Sequence, residues 1–292
     1  MPSIGVCAQL ACIWEATARK PGNVYRNRDF RNTSYVDFLQ SAAAIAPVLE
    51  TAPKRRVGET VLQCIQATRS VAKNNTNLGI VLLLAPLAAV PNDEDLRPGL
   101  KRVLKDLNIA DSCDVYRAIR LAKPGGLGRV LDQDVSQEPT LPLREVMALA
   151  SDRDMIARQY LTSFMEVFDD GVSALLGPLN KRRPISLEEA IIYCQLRLME
   201  KHPDSLIARK TCVAEAEEAC WRSGVALTKF WKSMKARWQE LGELDAWLRA
   251  KGNRRNPGAT ADLVTASLFI ALRQGSITLP LSRPFSNDID HA

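Results

Sequence analysis

Histidine is nearly missing from this chain: His202 and His291 are its only two among 292 residues. The seven cysteines, at 7, 12, 64, 113, 194, 212 and 220, form no Cys-x-x-Cys pair. Zinc modules need closely spaced soft ligands, so none is expected. A Ser-His-Asp or Cys-His relay is not expected either. His291 sits in the tail, and His202 precedes a proline, a place for capping or substrate contact rather than a general base. Long apolar runs are also lacking. Leu78–Val90 (LGIVLLLAPLAAV) is the most apolar stretch and falls short of the roughly 18–20 residues a bilayer crossing needs, so it reads as a buried helix. The N-terminal stretch has no basic segment ahead of its apolar residues, so no secretory leader is read. An odd number of thiols then fits reduced cysteines in the cytoplasm.

Aromatics are scarce at 6%, and basic residues exceed acidic ones by only 39 − 33 = +6. That surplus, diluted by many acids, suits phosphorylated small molecules better than a dedicated nucleic-acid surface. No GxxxxGK[ST] occurs, and Gly125-Gly126-Leu127-Gly128 lacks the strand and spacing of a dinucleotide fingerprint. What is abundant is apolar matter: 46% hydrophobic residues against 25% charged ones exclude a disordered tail, a collagen-like repeat or a disulfide scaffold.

Helical period runs through nearly every long segment. Ile4–Trp14 stops before Lys20-Pro21-Gly22, and a polar loop follows from Asn23 to Thr33. Ser34 is placed to cap a helix to Leu49, and further helices are expected at Val57–Val71 and Leu78–Val90. Acidic starts mark Asp93–Asn108 and Asp111–Ala122, Asp132–Pro142 reads as a long surface loop, and Leu143–Phe168 reads as one helix. Ser186 and Glu189 form a capping box for a helix to Glu200; Asp204–Gly224, Leu227–Ala250 and Ala259–Gln274 follow. Roughly ten or eleven helices, short connectors and no strand blocks define an all-α fold. No repeat or linker divides it, so one domain over residues 1–292 is expected, with residues 281–292 frayed. The tryptophans at 221, 231, 238 and 247 fall in helical segments and read as core.

The breaks carry the functional signal. Lys20-Pro21-Gly22-Asn23, Asn74 through Gly79, His202-Pro203-Asp204-Ser205 and Asn256 through Asp262 each border an apolar helix. Free N–H groups at helix starts are natural phosphate seats, although the same residue types serve as ordinary caps. Together the four breaks resemble the triphosphoribosyl-dephospho-coenzyme A synthase family. Glu15 with Lys20-Pro21-Gly22-Asn23-Val24 is similar to that family's Glu…Lys-Pro-Gly-x-Val opening, and Asn75-Thr76 to its Val-Asn-Thr-His-Lys-Gly. Asp204 to Lys210 is similar to its Asp-Ser-x-Val/Ile-x-Arg-Lys/Arg, and Asn256 to Leu263 to its Ser-Pro-Gly-Gly-x-Ala-Asp-Leu. The order agrees across most of the chain. Asn77 and Leu78 stand where the family has His-Lys, Asn256 replaces a serine, and Ala259 stands where a second glycine is common.

The resemblance implies an all-helical ATP-dependent transferase that moves the triphosphoribosyl group of ATP to 3′-dephospho-coenzyme A and releases adenine. The product is the precursor of a prosthetic group on acyl-carrier subunits of citrate lyase or malonate decarboxylase. Breaking an N-glycosidic bond through a cation-like sugar calls for nearby negative charge, a positioned acceptor and a neutralised triphosphate. On that implication Glu15, Asp204 and Asp262 are the catalytic candidates and would hold Mg²⁺ on the triphosphate, with Glu59 a weaker fourth. Lys20, Arg209 and Lys210 would contact phosphates, and the backbones of Gly22 and Gly258 would approach them. Asn75, Thr76, Asn77 and Ser205 complete the ATP and substrate contacts.

Local readings compete. Asp204 and Asp262 also suit capping, Glu15 suits an i, i+4 pair with Arg19, and Arg26-Asn27-Arg28-Asp29 reads equally as a phosphate lid or a solvated loop. Two alternatives stand beside the family reaction. One is a diverged ribosyl-type transferase with another acceptor, such as a one-carbon carrier in cofactor biosynthesis. The other is a helical RNA- or protein-binding module without chemistry. Nothing in the sequence marks a homodimer patch.

Overall fold

The computed structural model describes residues 2–126, 128, 130–181, 185–281 and 285. His291, Leu127 of the glycine stretch and most of the expected frayed tail lie outside them. Fourteen α-helices are seen among the described residues, and no sheet: α1 (Ile4–Thr17), α2 (Tyr35–Glu50), α3 (Val57–Val71), α4 (Leu78–Ala88), α5 (Leu96–Lys105), α6 (Ile109–Ala122), α7 (Leu143–Ala150), α8 (Met155–Thr162), α9 (Ser173–Leu179), α10 (Leu187–Lys201), α11 (Ser205–Lys210), α12 (Val213–Phe230), α13 (Met234–Arg249) and α14 (Gly258–Arg273). A short 3₁₀ turn follows α2, and a π-helical segment, Glu166–Val172, precedes α9. The expected all-α class is what the chain adopts.

Two helices are apolar on nearly every face, which is the pattern of a helix surrounded by others. They are α4, buried at ten positions from Leu78 to Ala88, and α14, buried almost throughout from Ala259 to Leu272. Around them pack α1, α2, α3, α8 and the π segment, forming the main hydrophobic core. A second core, with Leu196, Ile207, Phe230, Leu241 and Leu248, lies between α10, α11, α12 and α13. No described helix is long and apolar enough to cross a membrane.

Several sequence signals act as written. Ser34 with Asp37 and Ser186 with Glu189 both close as capping boxes. Asn108 rather than Asp111 caps α6, with Asp111 reaching back from the third helical position. Other boundaries move. The stretch expected as one helix from 143 to 168 is broken at Asp154, whose Oδ1 accepts from Ile156 and Ala157 N–H to start α8. It breaks again at Ser163 and Phe164, both at positive φ. Gly224 does not end a helix: α12 runs through it to Phe230, and Ser233 caps α13 instead. Two tryptophans are not core: Trp221 and Trp231 are exposed. Trp238 and Trp247 are partly buried, roofed by Arg19 at 4.3 Å and Arg255 at 3.9 Å from their ring centroids.

The joint that places the site is Asp204. Its Oδ1 accepts from Leu206 and Ile207 N–H, capping α11. Its Oδ2 accepts from Thr260 N–H and Oγ–H, both at 2.8 Å, so the same carboxylate caps the start of α14. Ser205 adds a third helix, since its Oγ accepts from Met155 N–H at 3.1 Å. Gly258 allows the close approach: a Cβ there would stand 2.5 Å from Leu206 Cδ2. Replacing Asp204 by Ala removes a helix cap and a buried carboxylate bonded to both helices. We expect a loss of about 2–4 kcal/mol, read as a lower urea midpoint at unchanged m-value; an unchanged midpoint would show that the joint is not structural.

Candidate active site

Where α4, α8, α11 and α14 converge, their ends enclose a cleft of about 1200 Å³. That exceeds a usual single-ligand pocket and leaves room for two substrates. Its two sides differ in charge.

The acidic floor is built by α1, α4 and α14. Glu15 lines the cleft near the end of α1, and its Oε1 lies 2.8 Å from the Lys20 ammonium. Lys20 is fully buried and also donates to the Glu15 carbonyl. Asp262 lines the cleft on α14 and makes no hydrogen bond or ion pair with any described residue. Gly79 makes room for it: a Cβ at that position would lie 1.9 Å from Asp262 Oδ2. Burial above all, then Glu15, Asp204 and Asp154, push the Asp262 carboxyl well above the usual carboxylate range, against the pull of Arg209. Around these acids sit Asn23 and the Asn75-Thr76-Asn77 break. Asn75 Oδ1 accepts from Leu78 N–H, Thr76 shares a hydrogen bond with Ser41, and Asn77 Nδ2 donates to Thr68 Oγ1. The Oδ1 atoms of Asn23 and Asn77 are buried without a donor.

Cations line the same cleft, interleaved with Asp152 and Asp154. Arg209 and Lys210 project from the end of α11, with Lys123, Arg153, Arg158 and Lys201 along the same cleft. Arg209 is held by Asp154 Oδ2 at 2.7 Å, Arg158 by Glu166 at 2.9 Å and Lys201 by Asp170 at 2.5 Å. His202 also lines the cleft, with Nε2 3.0 Å from Asp170 Oδ2 and Nδ1 facing Glu166 at 3.8 Å. Both ring nitrogens face carboxylates.

Of the residues singled out in the sequence, the cleft gathers Glu15, Asn75, Thr76, Asn77, Ser205, Arg209, Lys210, Gly258 and Asp262. Four do not line it, and each has a visible reason. Lys20 is spent on Glu15, so it positions a carboxylate rather than touching phosphate. Gly22 gives its N–H to Asp245 Oδ1 at 2.8 Å. Asp204 has all four of its donors within the fold. Glu59 stands on α3, partly exposed and bonded by Gln63. The expected carboxylate cage is therefore not assembled: among the described residues no three His, Cys, Asp or Glu side chains gather as metal ligands. Arg19 pairs with Glu188 at 2.7 Å and not with Glu15. No arginine of the 26–31 loop lines the cleft, and Arg28 is clamped to Asp245 at 2.6 Å. Sequence reasoning missed Lys123 and Arg153. Their signals were present: Lys123 opens the glycine stretch, and Arg153 sits in the polar run Ser151-Asp152-Arg153-Asp154 inside an otherwise amphipathic segment.

Known proteins place the chain in a family. The family model of CitG, ATP:dephospho-CoA triphosphoribosyl transferase, matches residues 1–278, and the chain belongs to that family of transferases. A crystal structure from Archaeoglobus fulgidus, of a protein provisionally assigned as a triphosphoribosyl-dephospho-CoA synthase, is similar at a TM-score of 0.62 and 28% identity, covering 81% of this chain and 99% of its own. No curated protein matches. Membership in a transferase family sets aside the reading as a non-catalytic helical module.

Asp262 supplies a pH test. A carboxyl whose folded pKa is raised stabilises the fold while protonated, and that stability is lost as pH rises through the raised value. Asp262→Asn is neutral at every pH. Its melting temperature is expected to match wild type near pH 4 and to exceed it increasingly toward pH 8, by roughly 2–4 °C for each kcal/mol relieved. A difference independent of pH would contradict the placement of this carboxyl among like charges.

Proposed function

We propose that the cleft transfers the triphosphoribosyl group of ATP to a hydroxyl of 3′-dephospho-CoA. The observation that carries the reading is the unpartnered Asp262 beside Glu15, facing cations across one cleft. In the reaction the C1′–N9 bond of ATP breaks and its electron pair leaves with adenine. The acceptor oxygen bonds to C1′, and its proton is the one adenine gains. Asp262 is the base for that proton, because its carboxylate is free and its raised pKa makes it a stronger acceptor than an ordinary carboxylate. Glu15, held in place by Lys20, lies beside the developing positive charge on the sugar and lowers its energy. Lys20 and Asp204 act as positioning residues, one for Glu15 and the other for the ends of α11 and α14.

Mg²⁺ fits this donor set as a companion of ATP rather than a resident ion, since it binds phosphates with only one or two carboxylates and keeps several waters. Asp262 and the outer Glu15 oxygen are the groups that would hold it, and it would supply neutralisation of the triphosphate.

The test is incubation of purified protein with Mg-ATP and 3′-dephospho-CoA, followed by chromatography and mass spectrometry. Free adenine and a product heavier by one triphosphoribosyl unit are expected, with kcat lowered by about 10²–10⁴ in Asp262→Asn. Product formation untouched in that variant would overturn the base assignment. A second reading rests on one observation: Asn77 and Leu78, which replace His-Lys, both line the cleft. Mg-ATP binding without adenine release would favour an acceptor other than dephospho-CoA.

A further inference from the structure

Cations in the cleft fall into two groups. Arg158, Lys201 and Arg209 each meet a carboxylate within 3 Å. Lys123, Arg153 and Lys210 meet none among the described residues and line the same cleft. Lys210 is the most shielded of these three. The one hydrogen bond its ammonium makes among the described residues is a long one, 3.4 Å, to the carbonyl of Asn253. Burial and the neighbouring Arg209 both lower its affinity for a proton, so its charge is held at a cost that an anion would remove.

Opposite Lys210 runs the glycine stretch that no nucleotide motif explained. Lys123 ends α6 in the left-handed region, at φ 50°. Gly126 follows at φ +77°, and a Cβ there would crowd Arg209 Cγ at 3.2 Å and its carbonyl oxygen at 3.4 Å. A Cβ on Gly125 would stand 3.9 Å from Lys210 Cε. The turn thus lies directly against the Arg209-Lys210 pair, with side-chain-free backbone where the two approach. Glycine at 126 is favoured both by that contact and by φ.

We propose that Lys123 with the Gly125-Gly126 turn, and Lys210 with Arg209, are two jaws of a clamp that closes on the polyphosphate tail of the nucleotide. The inference deepens the function proposed above and rests on it for the identity of the nucleotide. It assigns the anion seat to the junction of α6 and α11, away from the acidic floor where the sugar would react. Lys210 is the central cation because it alone is both shielded and without an acid. Arg209, tethered to Asp154, fixes the angle of the jaw. Lys123 closes the seat from the solvent side.

Inorganic tripolyphosphate is the probe, because it presents the tail without sugar, base or acceptor. Isothermal titration of the full chain should show tripolyphosphate bound more tightly than orthophosphate and displaced by ATP. Lys210→Gln should weaken tripolyphosphate binding about tenfold or more and Lys123→Gln several-fold, the usual range for losing one charge-assisted bond. Lys210→Arg should keep most of it. Gly126→Ala should lose affinity with an unchanged circular dichroism spectrum. Tripolyphosphate affinity equal to wild type in both Lys210→Gln and Lys123→Gln would overturn the clamp. Adenine release with an unchanged KM for ATP in Lys210→Gln would overturn it too, leaving the proposed reaction intact. Lysine-dependent tripolyphosphate binding without adenine release would support the clamp while the reaction failed.

Discussion

A single buried carboxylate, Asp204, ties together the two charged faces on which the site depends. Helix starts leave N–H groups without partners, and a buried start must find acceptors. Here two starts share one side chain. The α11 end of that joint carries Arg209 and Lys210, and the α14 end carries Asp262. The spacing between cation wall and acid floor is therefore set by four hydrogen bonds to one residue rather than by loop conformation. Burial raises the Asp204 pKa and these hydrogen bonds pull it back down. Its ordinary role as a cap and its importance to the site are the same fact. A carboxylate so thoroughly satisfied is unsuited to move protons, and excellent for fixing helices that do.

The acid floor shows the opposite economy. Glu15 has a buried ammonium to answer it, while Asp262 has no ion pair, three like charges that outweigh Arg209, and a helix face cleared by Gly79. Leaving a shielded carboxyl unpaired lowers stability, and such destabilised groups cluster where chemistry is done. Cys12 lies close enough to feel both acids, yet burial and those same acids push its thiol far up, so it stays protonated.

How far the sequence spoke depends on whether a residue's partner was near in the chain. Capping boxes such as Ser34–Asp37 and Ser186–Glu189 are local and were legible to the residue. The all-apolar α4 was equally plain. The helix break at Asp154 was hidden because the segment is amphipathic on both sides, and only the Asp154 side chain, shared between α8 and Arg209, interrupts it. Glu15, Asp262, Arg209 and Lys210 were found through the order of the four breaks, and the cleft does bring them together. Lys20, Gly22 and Asp204 stood in the same motifs, but Lys20 serves Glu15 one turn away, and the other two serve partners far away in sequence or inside the joint. A motif marks a place in the fold. It does not separate the side chain that faces substrate from the one that holds it there.

That distinction bears on a place where this chain departs from its family's pattern. Asn77 and Leu78 exchange a titratable ring and a cation for an amide and an alkyl group, at a cleft-lining position. Across from Gly79, Asp262 has its pKa raised by burial first and then by Glu15, Asp204 and Asp154. The Asn77 amide is anchored through Nδ2 to Thr68, while its Oδ1 is buried without a donor. A buried acceptor left empty costs free energy that a donor would recover. The floor therefore favours a partner that brings hydrogen-bond donors or positive charge to it, which hydroxyl-bearing substrates and hydrated Mg²⁺ both do. Lys123, Arg209 and Lys210 stand on different helices from Asn77 and Leu78, so the departure at the floor leaves those cations in place.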